Sequence, residues 1–314
     1  MNSKVIILTE AGIKLGYGHL MRCLAIAQGL KKKNIDSVFF LRGDSNPENM
    51  IDGFEWKNIE WLEKNPDVTG KTVILDSYYA DENFCKKIYD QADKVLFIDD
   101  FNRIPYPGGM VLNSVLGAEE IDYPIRENIK YLLGPEYHPL RKEFWEVPDK
   151  VINPVIKKIL VTFGGTDVTN ETPQILNMLK EKFPELEKHV IIGKGFLNLD
   201  KIEDAADDNT YLIIQPDAEK MKEQMLECDI AISAAGQTIY ELARVGIPTF
   251  AKKVVENQDI NIKNWKKKNF LFGIEDISNI PDYNRMNEIC DIGRSIVDGK
   301  GVHRIVEILI NDQG

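Results

Sequence analysis

The sequence predicts a doubly wound α/β protein, and three observations carry the prediction. Short β-branched runs alternate with amphipathic segments along the whole chain. Most of these runs are continuously apolar, as in parallel strands covered on both faces. The alternation breaks once, between Phe144 and Lys158, and then resumes. A length of 314 residues, about twice that of a typical domain, agrees with two such halves.

In chain order, residues 4–9 read as a strand, 20–32 as a helix and 37–41 as a strand. Residues 72–76 and 94–99 read as strands, with a helix over 81–91 between them. The stretch from Glu146-Val147-Pro148-Asp149 to Asn153-Pro154 holds two prolines and little periodicity, and is expected as a linker. A second α/β run follows: strand 159–163, helix 172–183, strands 189–192 and 211–214, helix 219–227, strand 229–233, helix 238–245 and strand 248–251. The expectation is a Rossmann-like domain over 1–147 and another over 155–300. A cleft between them would be a preferred place for a small-molecule site.

Composition narrows the function classes. Hydrophobic residues make up 43% and charged residues 28%, the balance of a soluble globular chain. Lys and Arg number 39 against 50 Asp and Glu, a net charge of −11, so nucleic acid is not an expected partner. The basic runs 31–33 and 266–268 read as solvated helix ends. The apolar runs fall far short of the roughly 20 residues of a bilayer span, and Met-Asn-Ser-Lys leads into a strand pattern rather than a cleavable signal. No membrane insertion is expected. Cys23, Cys85, Cys228 and Cys290 are scattered with no CxxC pair, which fits reduced thiols in a cytoplasmic protein.

Four segments could carry chemistry. Gly16-Tyr17-Gly18-His19 joins the opening strand to its helix, where glycines admit a ligand to the backbone and the helix start offers free N–H groups. The loop is neither GxGxxG nor a P-loop, which disfavours nicotinamide and ATP. His19 and Cys23 share a helix face, but no second pair completes a metal site, so no metal and no cofactor are expected. Phe163-Gly164-Gly165-Thr166-Asp167 closes the first strand of the second half, where a tight turn and close approach of a ligand to Gly165 and Thr166 are both sufficient readings. Ser233-Ala234-Ala235-Gly236-Gln237-Thr238-Ile239-Tyr240-Glu241 is the most informative. Gly236, Gln237 and Thr238 open a helix and can donate to a diphosphate; Glu241, one turn on, can take a ribose diol or simply face solvent. Glu256-Asn257-Gln258 opens a further helix, for which capping by Asn257 is reason enough.

Taken together, GYGHLMRCLAIA, LDSYY, LLGPEYHPLR, FGGTD with Asn170, AAGQTIYE and ENQ resemble, in this order, the UDP-2,4-diacetamido-2,4,6-trideoxy-β-L-altropyranose hydrolases of pseudaminic-acid biosynthesis, relatives of the MurG-type glycosyltransferases. The resemblance covers nearly the whole chain. It implies the GT-B architecture, UDP held mainly by the second domain, and a last helix over residues 301–314 returning to the first. It further implies a UDP-sugar substrate with water as acceptor, inverting cleavage of the anomeric C–O bond, and His19 as general base. Asn257 would position the water or the leaving oxygen. Glu10, Tyr17 and Tyr78 would face the sugar, with Gln258 also at the substrate; a monomer is expected. Two departures stand out: Leu8 and Glu10 occupy the places of an Arg-x-Asp, and His138 replaces a small residue. The competing implication is an inverting UDP-sugar glycosyltransferase of envelope or spore-coat polysaccharide synthesis, since a shared fold does not fix the reaction.

Overall fold

The computed structural model describes residues 4–12, 15–43, 50–51, 53–255 and 258–311. The chain divides into two compact units, residues 1–142 with 299–314, and residues 143–298.

In the first unit the elements run β1 (Val5–Glu10), α1 (Gly18–Lys32), β2 (Ser37–Arg42), β3 (Glu55–Asn58), α2 (Trp61–Lys64), β4 (Thr72–Asp76), α3 (Glu82–Gln91), β5 (Lys94–Ile98), β6 (Gly109–Asn113) and β7 (Ile129–Leu133). Among the described residues they form a seven-stranded sheet of order β3-β2-β1-β4-β5-β6-β7, and every pairing is parallel. Strand β1 is buried along its whole length, which accounts for the apolar run over Val5–Leu8. Leu8, Leu75, Phe97 and Val111 from four adjacent strands meet in one core cluster.

The second unit contains β8 (Lys158–Thr162), α4 (Glu171–Lys182), β9 (Glu187–Ile192), α5 (Leu199–Ala205), β10 (Thr210–Ile214), α6 (Ala218–Glu227), β11 (Ile230–Ala234), α7 (Thr238–Val245), β12 (Thr249–Lys252), α8 (Asp259–Lys267), β13 (Leu271–Gly273) and α9 (Tyr283–Ile296). Its sheet runs β10-β9-β8-β11-β12-β13, again all parallel. Both sheets are thus doubly wound. Their order reverses between β1 and β4 in one and between β8 and β11 in the other, and the carboxyl ends at such a reversal are where this architecture leaves a crevice.

The segment expected as a linker is packed onto the second unit instead. Arg244 donates to the carbonyls of Phe144 and Trp145, and Arg294 to those of Val147 and Pro148. Buried Lys150 donates to the carbonyls of Met225, Leu226 and Cys228, closing the carboxyl end of α6 where helical acceptors would otherwise go unmet. Prolines removed the periodicity there without removing the packing.

The last helix, α10 (Gly301–Asn311), belongs to the first unit and lies against α1. Both contacts need glycine. A Cβ on Gly29 would stand 2.3 Å from a Val302 methyl, and one on Gly301 2.2 Å from the carbonyl oxygen of His138. Gly301→Ala is expected to destabilise the protein by about 1–3 kcal/mol through overpacking against backbone. Urea denaturation measures it; stability equal to wild type would mean that α10 does not depend on this approach.

Candidate active site

The first unit gathers its chemistry at the carboxyl ends of β1, β4 and β5. His19 sits in the first turn of α1, and its Nδ1 lies 2.7 Å from Asp76 Oδ1 at the end of β4. Three residues on, Arg22 reaches the same carboxylate through Nε and Nη2, each at 2.6 Å. Its Nη1 takes both oxygens of Asp100 at 2.8 and 3.0 Å. The phenol of Tyr78 donates to Asp100, and its ring meets the His19 imidazole edge-on at 4.5 Å between centroids. The i, i+3 spacing of His19 and Arg22 puts both on one helix face. Asp76, the last residue of β4, and Asp100, two residues past β5, supply the counter-charges.

Burial alone would raise the Asp76 pKa, but the charges of Arg22 and His19 and their hydrogen bonds outweigh it and hold the carboxyl well below the usual carboxylate range. An ionised carboxylate only accepts, so Nδ1 of His19 carries the proton. In the neutral ring Nε2 then holds the lone pair and has no hydrogen-bond partner among the described residues, while the Arg22 Nη2 contact to Nδ1 at 3.2 Å brings two donors together without a bond. Burial and then Asp100 push the Tyr78 phenol far up, which keeps it a neutral donor. The Cys23 thiol donates to Asp76 at 3.6 Å and is pushed well up by burial and that neighbour.

Glu10 ends β1 at 1% exposure. Its Oε1 accepts from Ser77 at 2.7 Å and from Arg42 at 3.0 Å, while Oε2 is buried without a partner. Burial raises its pKa, opposed by Ser77, His19 and Arg42. Gly16 has φ +76°, a conformation that favours glycine, and a Cβ on Gly16 or Gly18 would meet nothing within 4 Å. Tyr17 precedes α1, half-buried. His138 is buried on Ser114, and burial pushes its imidazole down to about 3, so it stays neutral.

In the second unit the corresponding ends are those of β8, β11 and β12. Gly164 has φ +72°, and Cβ atoms on Gly164 or Gly165 would meet nothing within 4 Å. Asp167 accepts from the backbone N–H groups of Glu171 and Thr172, which caps α4 and folds Thr166 into the turn. Gly236, Gln237 and Thr238 lead into α7, whose amino terminus has no side-chain cap; Glu241 lies in its first turn. Gln258 precedes α8, where its Oε1 accepts from Val254 N. Asn261 donates to the Ala235 carbonyl at 2.7 Å and ties the two loops together. Asn257 lies outside the described residues.

The expected residues thus fall into two groups. Gly16, Tyr17, Gly18, His19, Glu10 and Tyr78 belong to the first unit; Gly165, Thr166, Gly236, Gln237, Thr238, Glu241 and Gln258 belong to the second. Sequence reasoning missed Asp76, Arg22 and Asp100 as members of the His19 cluster. The signal for the two carboxylates lay in the acidic residues that follow two apolar runs, VIL and VLFI.

The chain matches no described protein-family profile. It is 28% identical over 267 residues to the uncharacterised protein MJ1062 of Methanocaldococcus jannaschii, covering 78% of this chain and 54% of that protein. It is 26% identical over 263 residues to the pseudaminic acid cytidylyltransferase and UDP-2,4-diacetamido-2,4,6-trideoxy-β-L-altropyranose hydrolase of Helicobacter pylori, covering 83% and 46%. The chain spans about half the length of these two curated relatives. Against the spore coat polysaccharide biosynthesis protein SpsG of Bacillus subtilis it is 24% identical over 96% of both chains. Among solved structures, MurG of Acinetobacter baumannii superposes with a TM-score of 0.66 at 14% identity, covering 98% of this chain and all of that one. The S. aureus MnaA–UDP structure gives 0.62 at 11% identity, covering 98% and 96%. The fold is therefore the two-domain α/β architecture of the MurG-like GT-B proteins.

Asp76→Asn is expected to destabilise the protein by about 3–5 kcal/mol at neutral pH, because it removes one of the two carboxylates that meet buried Arg22. The folded pKa of Asp76 is depressed, so its contribution is present above the unfolded value near 4 and is lost as pH falls below it. Urea denaturation at a series of pH values checks this: the gap between variant and wild type should narrow below about pH 4. A gap independent of pH would count against the ion-pair account.

Proposed function

We propose that this chain hydrolyses a UDP-linked 2,4-diacetamido-2,4,6-trideoxyhexose at its anomeric C–O bond, releasing UDP and the free sugar. The observation that carries the reading is the His19–Asp76 pair. Asp76 fixes the Nδ1–H tautomer and leaves Nε2 free to take a proton from water. The resulting imidazolium would be stabilised by the carboxylate that already touches the ring. Tyr78 and Glu10, beside His19, are the candidates for contact with the sugar. The second unit would hold UDP, with Gly236, Gln237 and Thr238 at the diphosphate, Glu241 at the ribose, and Gly165, Thr166 and Gln258 alongside. Uncapped helix N–H groups would meet the leaving charge without a metal ion. The name of the Helicobacter pylori relative supports the substrate and the reaction.

A second reading, an inverting UDP-sugar glycosyltransferase, draws support from the name of SpsG, which is matched along nearly its full length, and from the glycosyltransferase fold neighbours. On that reading the same histidine activates an acceptor hydroxyl.

Incubation of the protein with UDP-2,4-diacetamido-2,4,6-trideoxy-β-L-altropyranose, with no acceptor present, separates the two. Hydrolysis predicts UDP release with oxygen from ¹⁸O-labelled water entering the sugar. No release without acceptor favours the transferase. His19→Asn should lower turnover by about 10²–10⁴-fold while UDP affinity stays near wild type. Near-normal turnover in that variant would assign the base elsewhere. Tyr78→Ala should weaken turnover and spare UDP affinity; equal losses in both would make Tyr78 a packing residue.

A further inference from the structure

In the second unit a lysine at the end of β12 stands beside the strand that leads into the proposed diphosphate loop, with hydrogen-bonding capacity unspent. Lys252 is the last residue of β12, in register with Ala234 at the end of β11. Its Nζ lies 3.3 Å from Glu171 Oε2, at the start of α4, which follows β8. Strand β11 lies between β8 and β12, so the pair crosses the width of β11 near its carboxyl end, where the Ala235–Gly236–Gln237 loop leaves for α7.

The contact between Lys252 and Glu171 is one of charge only. Glu171 Oε2 is buried and makes no hydrogen bond, and Thr172 Oγ1 beside it is likewise buried and unpartnered. Lys252 is one-third exposed, whereas Glu171 is held inside. An ammonium has three N–H donors in tetrahedral array, so Lys252 can keep Glu171 as its counter-charge and still donate outward. The adjoining Lys253 differs: it is engaged with Asp259 at 2.5 Å. The first turn of α7 supplies N–H groups but no positive side chain before Arg244, and the whole chain carries a net charge of −11. A doubly charged ligand at this sheet end therefore meets, in Lys252, a cation with donors to spare.

We infer that Lys252 is a ligand-binding residue that donates to a phosphoryl oxygen of a nucleoside diphosphate, held in place by the charge of Glu171. The inference rests on the reading that this unit binds UDP. Calorimetry of the whole protein with UDP tests it, comparing wild type, Lys252→Met and Lys253→Met. The two variants change net charge equally, so general electrostatics affects them alike. A charge-assisted hydrogen bond predicts a loss of about 10–100-fold in UDP affinity for Lys252→Met. Lys253→Met should stay within about twofold, and affinity for uridine, which lacks the phosphates, should be unchanged in both. Equal losses in the two variants, or wild-type affinity in Lys252→Met, overturns the assignment. Loss of uridine affinity together with UDP affinity in Lys252→Met also overturns it, since the effect would not be at the phosphates. Wild-type protein that binds no UDP would remove the functional reading itself, a result distinct from any of these.

Discussion

A single buried anion organises the first unit. Asp76 has no exposed surface, and a charge so placed must be met by hydrogen-bonded cations or give up its charge. Arg22 meets it from the first turns of α1 and draws in Asp100 as a second counter-charge; His19 completes the set. Strands β4 and β5 and helix α1 are therefore held at fixed mutual positions by directional bonds as well as by apolar packing. Tyr78 is fixed in turn through Asp100. The geometry of the imidazole follows from that arrangement, because the one carboxylate oxygen that touches it also binds Arg22.

The two units reuse one construction for different ends. In each, the sheet order reverses beside its first strand, and a glycine loop follows that strand at the carboxyl end. In the first unit the reversal brings β4 against β1, and its acidic end meets the helix that follows β1. In the second it brings β11 against β8, and small residues there leave backbone donors uncovered. On the proposed reading, charged side chains would carry the chemistry of one site, and main-chain groups with a nearby lysine that of the other.

The fold was largely legible because buried parallel strands leave apolar runs, as in Val5–Leu8 of β1 and Val73–Leu75 of β4. Strand β3 was not legible. Its Glu55-Trp56-Lys57-Asn58 lies at an edge, mostly exposed, and needs no such run. The linker reading failed for a related reason: Lys150 and the carbonyls of residues 144–148 pack by polar contacts, which leave no hydrophobic period. For the site, His19 was visible because its glycine loop is local. Its carboxylate partner Asp76 lies 57 positions away, and a lone Asp at a strand end carries no mark of what it will touch.

The place of α10 has a consequence for synthesis. The first unit is made of two separated stretches of chain, with the whole of the second unit encoded between them. Residues 143–298 are made between these two stretches, so the strands of the first unit precede residues 301–311 by the whole of the second unit. Until then the surface of α1 around Gly29 stands uncovered, although every strand of its sheet has emerged. The nascent first unit thus waits, with an apolar groove open, for a helix translated more than 150 residues after its last strand.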